Sequence, residues 1–312
     1  MAEHFVKPPL WEWYILAYFF LGGLTGGLYA IATMLRLWGS PRDEAAARIG
    51  FRWAFPLLIL CPIFLTIDLG RPGRFWHMLI DTGGGGLVFK SWSPMSVGSW
   101  VLLVYGLFAF VSFIEVLALD GRLRGPFARS IARSMAGGGG RLWNVIGALL
   151  GLYIAGYTGV LLSVSNQPIW SDAPALGGLF LVSGLSGSAA LLSWLARRRQ
   201  GAEAVEGRLR QADRYFAILE LALIVLFFVN LSAAGTMGRA LSGAWGVLWV
   251  LVVLSLLPPL AGMGGPSLQV SSRSGGAAVA SVGAGLSHAV VAAIVLLGVL
   301  LMRFVVIFSA QL

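Results

Sequence analysis

Asp68-Leu69-Gly70-Arg71-Pro72-Gly73-Arg74-Phe75-Trp76-His77 gathers a carboxylate, two guanidinium groups and an imidazole in a short connection between two long apolar stretches. These types suit proton transfer. Imidazole titrates near neutral pH without any perturbation. Asp68 can orient the ring or accept its proton, and Arg71 and Arg74 can keep that carboxylate ionised. The connection continues through Gly83-Gly84-Gly85-Gly86 to Ser93-Pro94-Met95-Ser96-Val97-Gly98-Ser99-Trp100. Charged groups held against a bilayer are costly, which makes them a candidate site. Each also has a plainer reading. A lone interfacial histidine is usually just solvated. Arg71-Pro72 after a helix end can simply terminate the helix and staple the loop.

Tyrosines add hydroxyl groups. Tyr14 and Tyr18 are four residues apart and share one helical face, and Tyr157 lies in a later apolar stretch. Near a membrane surface a tyrosine is more often part of an aromatic belt, the reading given to Trp11, Trp13 and Tyr14. A deeper polar set comprises Glu115, Glu220, Asn230, Arg239, His288 and Arg303. In lipid these must face the bundle interior or a wet cavity, and together they can form a proton path. Equally, Glu115 and Glu220 can sit at an interface, neutralised by Arg122, Arg124 or Arg214. Both readings stand.

The elements that position these groups follow from bulk composition. Of 312 residues, 58% are hydrophobic and 11% charged, with a mean hydropathy of +0.84. Apolar runs near the ~20 residues that a helix needs to cross a bilayer occur at about 12–36, 49–69, 96–119, 141–164, 174–195, 215–234, 242–262 and 284–309. Backbone groups in lipid must be satisfied within the segment, so the expected fold is an all-α integral membrane protein with eight transmembrane helices. Pro258-Pro259 is expected to be able to break the seventh. The net charge of +9 comes from arginines between spans, which are topology signals and give no nucleic-acid patch. The single cysteine, Cys61, lies in a span and can form neither an internal disulfide nor an iron–sulfur site alone.

Charge also sets the expected orientation. Sixteen of the 22 lysines and arginines fall in connections 1–2, 3–4, 5–6 and 7–8 or the adjoining helix ends. They include Arg122, Arg124, Arg129, Arg133, Arg197, Arg198, Arg199, Arg208, Arg210 and Arg214. The other side has only Lys7, Arg71, Arg74, Lys90 and Arg239, and Arg303 is within the last span. The positive-inside rule places the arginine-rich loops in the cytoplasm. The chain is expected to be multi-pass in the cytoplasmic membrane, with both termini and the Asp68–Trp100 loop outside. The first span has no small-residue cleavage site behind a basic segment and is read as retained.

The two halves echo each other. Gly23-Leu24-Thr25-Gly26 resembles Gly184-Leu185-Ser186-Gly187, and Ile67-Asp68-Leu69 resembles Val229-Asn230-Leu231. Ser96-Val97-Gly98-Ser99-Trp100 resembles Leu241-Ser242-Gly243-Ala244-Trp245, and Tyr157 with Ser163 matches Arg303 with Ser309. Corresponding helices run the same way. This predicts a parallel repeat of two four-helix bundles, residues 1–164 with the outer loop and residues 165–312. The small residues Gly22, Gly23, Gly26 and Gly27 let helices approach closely.

Together these pieces resemble the NrfD/PsrC family, the polysulfide-reductase-type membrane subunits. The resemblance rests on Tyr18-Phe19-Phe20-Leu21-Gly22-Gly23-Leu24-Thr25-Gly26-Gly27, on Asp68-Leu69-Gly70-Arg71-Pro72, on Ser93 to Trp100, and on Arg303-Phe304-Val305-Val306 with Gln311. It covers essentially the whole chain. It implies an eight-helix anchor that reacts with quinone (menaquinone or ubiquinone) near the outer face. It also implies a ferredoxin-like iron–sulfur subunit docked there, often with a molybdopterin-type catalytic subunit beyond. Relatives occur in alternative complex III and in respiratory sulfur, nitrogen and formate enzymes. The chain lacks the extra helices of the ten-helix members.

Quinol oxidation releases two protons with its electrons, so a site needs partners for two oxygens and a proton acceptor. On this reading His77 and Asp68 are the catalytic candidates, and Tyr18, Arg71, His77 and Tyr157 bind the quinone. The embedded set from Glu115 to Arg303 serves proton translocation. Only His288 among the three histidines lies in a span, so a bis-histidine haem within the bilayer is not expected, and no metal is expected in this chain. Electrons must then leave through the iron–sulfur partner. The rival is a secondary transporter built from two four-helix repeats, with a midplane site on broken helices. A purely structural anchor would leave the Asp68–His77 cluster without a task.

Overall fold

The computed structural model describes residues 9–81, 83–197, 205–262 and 287–311. Its long helices are α1 (Trp13–Trp38), α2 (Glu44–Asp68), α3 (Pro94–Leu119), α5 (Gly138–Ser163), α6 (Leu176–Ala196), α7 (Glu206–Ala234) and α11 (His288–Ser309). Those seven are long and apolar enough to cross a membrane. Local chemistry sets several ends. Ser93 caps α3 by accepting a hydrogen bond from the Ser96 amide, with Pro94 at the first helical position. Ser287 caps α11 by accepting from the Val290 amide. Gly235, with φ of 75°, closes α7 in the left-handed conformation.

Two elements depart from the expected pattern. The connection before α5 contains α4 (Pro126–Met135), a short amphipathic helix with Phe127, Ile131 and Met135 along one side and exposed Arg129 and Arg133 along another. The expected span 242–262 is a shorter apolar stretch, Ala244–Leu260, following the single turn α8 (Met237–Ala240). It divides into α9 (Ala244–Ser255) and α10 (Leu257–Leu260). Pro258 and Pro259 lack the amide hydrogens that would bond back to residues 254 and 255, so the helix breaks just ahead of them. The described residues thus hold seven helices long and apolar enough to cross a membrane, and the eighth expected span is shorter and interrupted. His4, Arg198, Arg199 and the first residues of the span expected at 284–309 lie outside the described residues.

Helix α1 is the hub, packing against α2, α5, α6 and α11. Small residues permit this. A Cβ on Gly26 would lie 2.1 Å from the Gly151 carbonyl oxygen of α5, and one on Gly23 would lie 3.4 Å from the Gly184 Cα of α6. Gly23 and Gly184 hold matching places in the glycine motifs of the two halves. Buried hydroxyls tie the first half together: Thr25 donates to the Ala54 carbonyl at 2.7 Å, and Tyr105 donates to the Thr25 carbonyl at 2.8 Å. At the other side of α1, Arg303 of α11 is fully buried. Its Nε donates to the Phe19 carbonyl at 3.2 Å, its Nη2 to the Phe180 carbonyl at 2.9 Å and its Nη1 to the Val299 carbonyl at 3.1 Å.

The Asp68–Trp100 connection is compact. A 3-10 helix (Pro72–Met78) leads into an antiparallel hairpin of β1 (Ile80–Asp81) and β2 (Gly86–Leu87), with Ile80 opposite Leu87. The Asp81 carboxylate accepts from the Gly83 and Gly84 amides at 2.9 and 3.2 Å, and these bonds hold its pKa below the ordinary carboxylate value. Trp100 of α3 donates to the Val88 carbonyl at 2.7 Å and pins the returning strand.

Candidate functional site: a cavity beneath the Asp68–Trp100 connection

Helices α1, α2, α3 and α5 line a half-open cavity of about 590 Å³ at the end where that connection lies. Phe75, Met78, Leu79 and Met95 of the connection form part of its wall. The rest is almost wholly apolar, including Phe19, Leu58, Leu102 and Leu161. The polar exceptions include Tyr18, Tyr157 and Asp68. Phe55, Ile59, Pro62 and Leu103 extend the lining along the lipid-facing sides of α2 and α3.

Two hydroxyls meet in that wall. Tyr18 of α1 donates to Tyr157 of α5 at 3.1 Å, although 139 residues separate them. Tyr157 accepts this bond, so its own hydroxyl hydrogen remains available to another acceptor. Gly98 of α3 makes room for the ring. A Cβ at position 98 would lie 2.4 Å from two Tyr157 ring carbons and 2.6 Å from its hydroxyl oxygen. Asp68 is half-buried at the end of α2, and among the described residues no ion pair joins it to Arg71 or Arg74.

The expected residues divide clearly. Tyr18, Tyr157 and Asp68 line the cavity; His77 and Arg71 do not. His77 is half-buried in the 3-10 helix with its ring edge-on to Trp76, centroids 4.1 Å apart, and Arg71 is exposed. Trp11, expected in an aromatic belt, is also half-buried. Its ring stacks on Trp170 at 5.0 Å, and its amide donates to the Gln311 side chain at 2.9 Å, joining the two ends of the described chain.

The embedded acids take different settings. Glu115 is bonded on both oxygens by Arg36, at 3.1 and 2.9 Å, and Arg36 also holds Glu44. Arg36 of α1 is therefore its neutralising partner, where the sequence suggested Arg122, Arg124 or Arg214. The three expected partners follow Glu115 in the chain, whereas α1 reaches it only through tertiary packing. Glu220 belongs to α7 and is fully buried, with Arg303 as the nearby positive charge. Asn230 is half-buried near the far end of α7, and Arg239 is exposed in α8. His288 meets Glu206 at the start of α11. Sequence reasoning passed over the role of Gly98 and the buried acid Asp213. The signal for Asp213 was its spacing of seven residues from both Glu206 and Glu220. Among the described residues no group of three or more His, Cys, Asp or Glu side chains is placed to hold a metal.

The chain is similar to known proteins. The family described as polysulphide reductase, NrfD, matches residues 3–312. Protein NrfD of Escherichia coli is 28% identical over 341 residues, an alignment covering 100% of this chain and 98% of that protein. The C chain of polysulfide reductase from Wolinella succinogenes is 31% identical over 191 residues, covering 57% of this chain and 55% of its own length. The C subunit of selenate reductase from Mesobacillus selenatarsenatis is 28% identical over 119 residues, covering 38% of this chain and 25% of its own. With its apolar helices and a match over nearly all of its length, the chain is a multi-pass membrane protein and belongs to the NrfD polysulphide reductase family.

Proposed function

We propose that this chain is the quinone-reactive membrane subunit of a respiratory oxidoreductase and exchanges electrons with a ferredoxin-like iron–sulfur subunit, beyond which a molybdopterin-type subunit completes the complex. The carrying observation is the cavity with its Tyr18–Tyr157 hydroxyl pair and Asp68. Its volume lies within the roughly 300–1,000 Å³ of small-molecule sites, and its apolar wall with few convergent polar groups suits a quinone ring and isoprenoid tail. A bound quinone would supply the two-electron chemistry. Tyr157 would donate its hydroxyl hydrogen to a ring oxygen while Tyr18 holds it in place. Asp68 would take up or deliver protons at the mouth. The chain itself holds no redox centre on this reading, so the partner subunit must dock within electron-transfer reach of the cavity.

The connection above the cavity suits such docking. Phe75, Trp76, Leu87, Phe89 and Trp92 are exposed beside Arg71, Arg74 and Lys90, and aromatic and Arg residues are typical interface anchors. We place this face outside the cytoplasmic membrane on the arginine asymmetry, with both termini on the same side. The chain is also read as a duplication of 1–164 in 165–312, supported by the mutual approach of Gly23 and Gly184. The break at α9–α10 is a feature that a secondary transporter would share. The large cavity, however, lies among α1, α2, α3 and α5.

Asp68→Asn is expected to abolish quinone-linked turnover in an assembled complex, and His77→Ala to lower it less, because only Asp68 reaches the cavity. Wild-type turnover with Asp68→Asn removes the carboxylate from the reaction. Crosslinks from position 85 are expected to reach an iron-containing partner in a complex whose metal content is measured in parallel. Crosslinks only to a cytoplasmic protein would refute the docking face.

A further inference from the structure

Glu206, Asp213 and Glu220 lie at intervals of seven residues on the buried face of α7, so two helical turns, about 10.5 Å, separate each from the next. Exposure falls along the series from 8% to 7% to 1%. Glu206 stands at the arginine-rich end. It accepts from Arg197 at 2.9 Å and contacts the His288 ring. Among the described residues Asp213 has one hydrogen-bonding side chain, Ser186 of α6, donating at 2.8 Å. No ion pair neutralises it among the described residues. Glu220 is enclosed, and its Oε2 has no hydrogen-bond partner among the described residues. A buried carboxyl oxygen without a partner is costly unless it carries a proton or meets water.

A second observation is a place that could hold water. A separate cavity of about 30 Å³ is bounded by Asp213, Arg210, His288 and Ser193, with Ala189 and Pro259 among its apolar walls. That volume holds about two water molecules, and polar cavities of this kind fill. Arg210 presents a buried Nε without a hydrogen-bond partner among the described residues. The α9–α10 break brings Pro259 to this wall. Beyond Asp213 the same face of α7 presents Phe216 and Ala217 before Glu220. Arg303 faces Glu220 and also bonds the Phe19 carbonyl, one residue from Tyr18 in the large cavity.

We propose that Asp213 and Glu220 form a proton-uptake route that opens at the arginine-rich end through the His288–Arg210 cavity and leads toward the large cavity. The Glu115 pair plays no part in it, since Arg36 holds both of its oxygens. A proton from cavity water binds an Asp213 carboxylate oxygen, giving the neutral acid. It then passes through water to Glu220, and the Asp213 carboxylate is restored; no electron moves in this step. Arg197, Arg210, His288 and Arg303 are the positive or protonatable groups facing the series from α6, α7 and α11, with Glu206 as the acid at its entrance. The coupling of this route to electron flow rests on the quinone reading above.

Two measurements on the intact complex test it. Asp213→Asn keeps an acceptor for Ser186 and is expected to fold. In pH-difference infrared spectra without substrate, Asp213→Asn and Glu220→Gln should each remove a protonated-carboxyl carbonyl band. In sealed vesicles, proton uptake per electron from the arginine-rich side should fall to about half or less in Asp213→Asn, with turnover in detergent near wild type. Spectra unchanged in both variants overturn the proposal, as does an uptake ratio equal to wild type. If the wild-type complex shows no quinone turnover at all, the quinone reading fails, while the infrared bands still decide whether these acids titrate as a site.

Discussion

Gly98→Ala is expected to lower quinone-linked turnover by about 100-fold while the complex still assembles. The added methyl would sit 2.4 Å from the Tyr157 ring, far inside van der Waals contact, so the ring must leave its place. Displacing a reacting or orienting group by about 1 Å is enough for a loss of that size. The Tyr18–Tyr157 hydrogen bond at 3.1 Å would break with it. Alanine is otherwise favourable in a helix interior, by roughly 1 kcal/mol over glycine, so α3 itself should not weaken. Tyr157→Phe keeps the ring in place and should cost much less, about one neutral hydrogen bond or 1 kcal/mol of quinone binding. The pair of variants separates ring position from hydroxyl chemistry. Steady-state turnover and quinone affinity are the measurements. Gly98→Ala with normal turnover would show that the ring's position is irrelevant to the reaction.

Arg303→Met is expected to give the largest loss of stability. The guanidinium joins α1, α6 and α11 through three backbone carbonyls and lies over the Phe180 ring, 5.0 Å from its centroid. Removing it takes away charge-assisted bonds worth about 1.5–3 kcal/mol each and leaves Glu220 without its nearby cation, so a net loss of about 3 kcal/mol or more is expected. Arg303→Lys should recover only part of this, because an ammonium cannot fork between two helices. Thermal unfolding of the purified complex followed by size-exclusion chromatography reads the effect. If Arg303→Met melts like wild type, the arginine serves a path and holds no helices together.

Much was legible in the residues. Apolar runs of about 20 residues admit only helices in lipid, so seven helices cover the runs that composition marked, although α7 begins well before its expected start, at Glu206. The prolines at 258 and 259 marked the break that α9 and α10 show, because proline has no amide hydrogen to give. Tyr18, Asp68 and Tyr157 stood out as polar groups in apolar stretches, and all three line one cavity.

Other features had no local signal. His77 and Asp68 share a motif, yet a 3-10 helix turns the histidine toward Trp76 and away from the cavity. The role of Gly98 depends on a ring from α5, and the partner of Glu115 comes from α1. Helix α3 is apolar nearly all round, so its sequence carries no periodicity to say which side faces protein and which faces lipid. A sequence of this kind determines that a segment crosses the membrane and which polar groups it carries. The rotation of each helix about its axis is decided only by packing, where a glycine on one helix admits the ring, the carbonyl or the guanidinium of another.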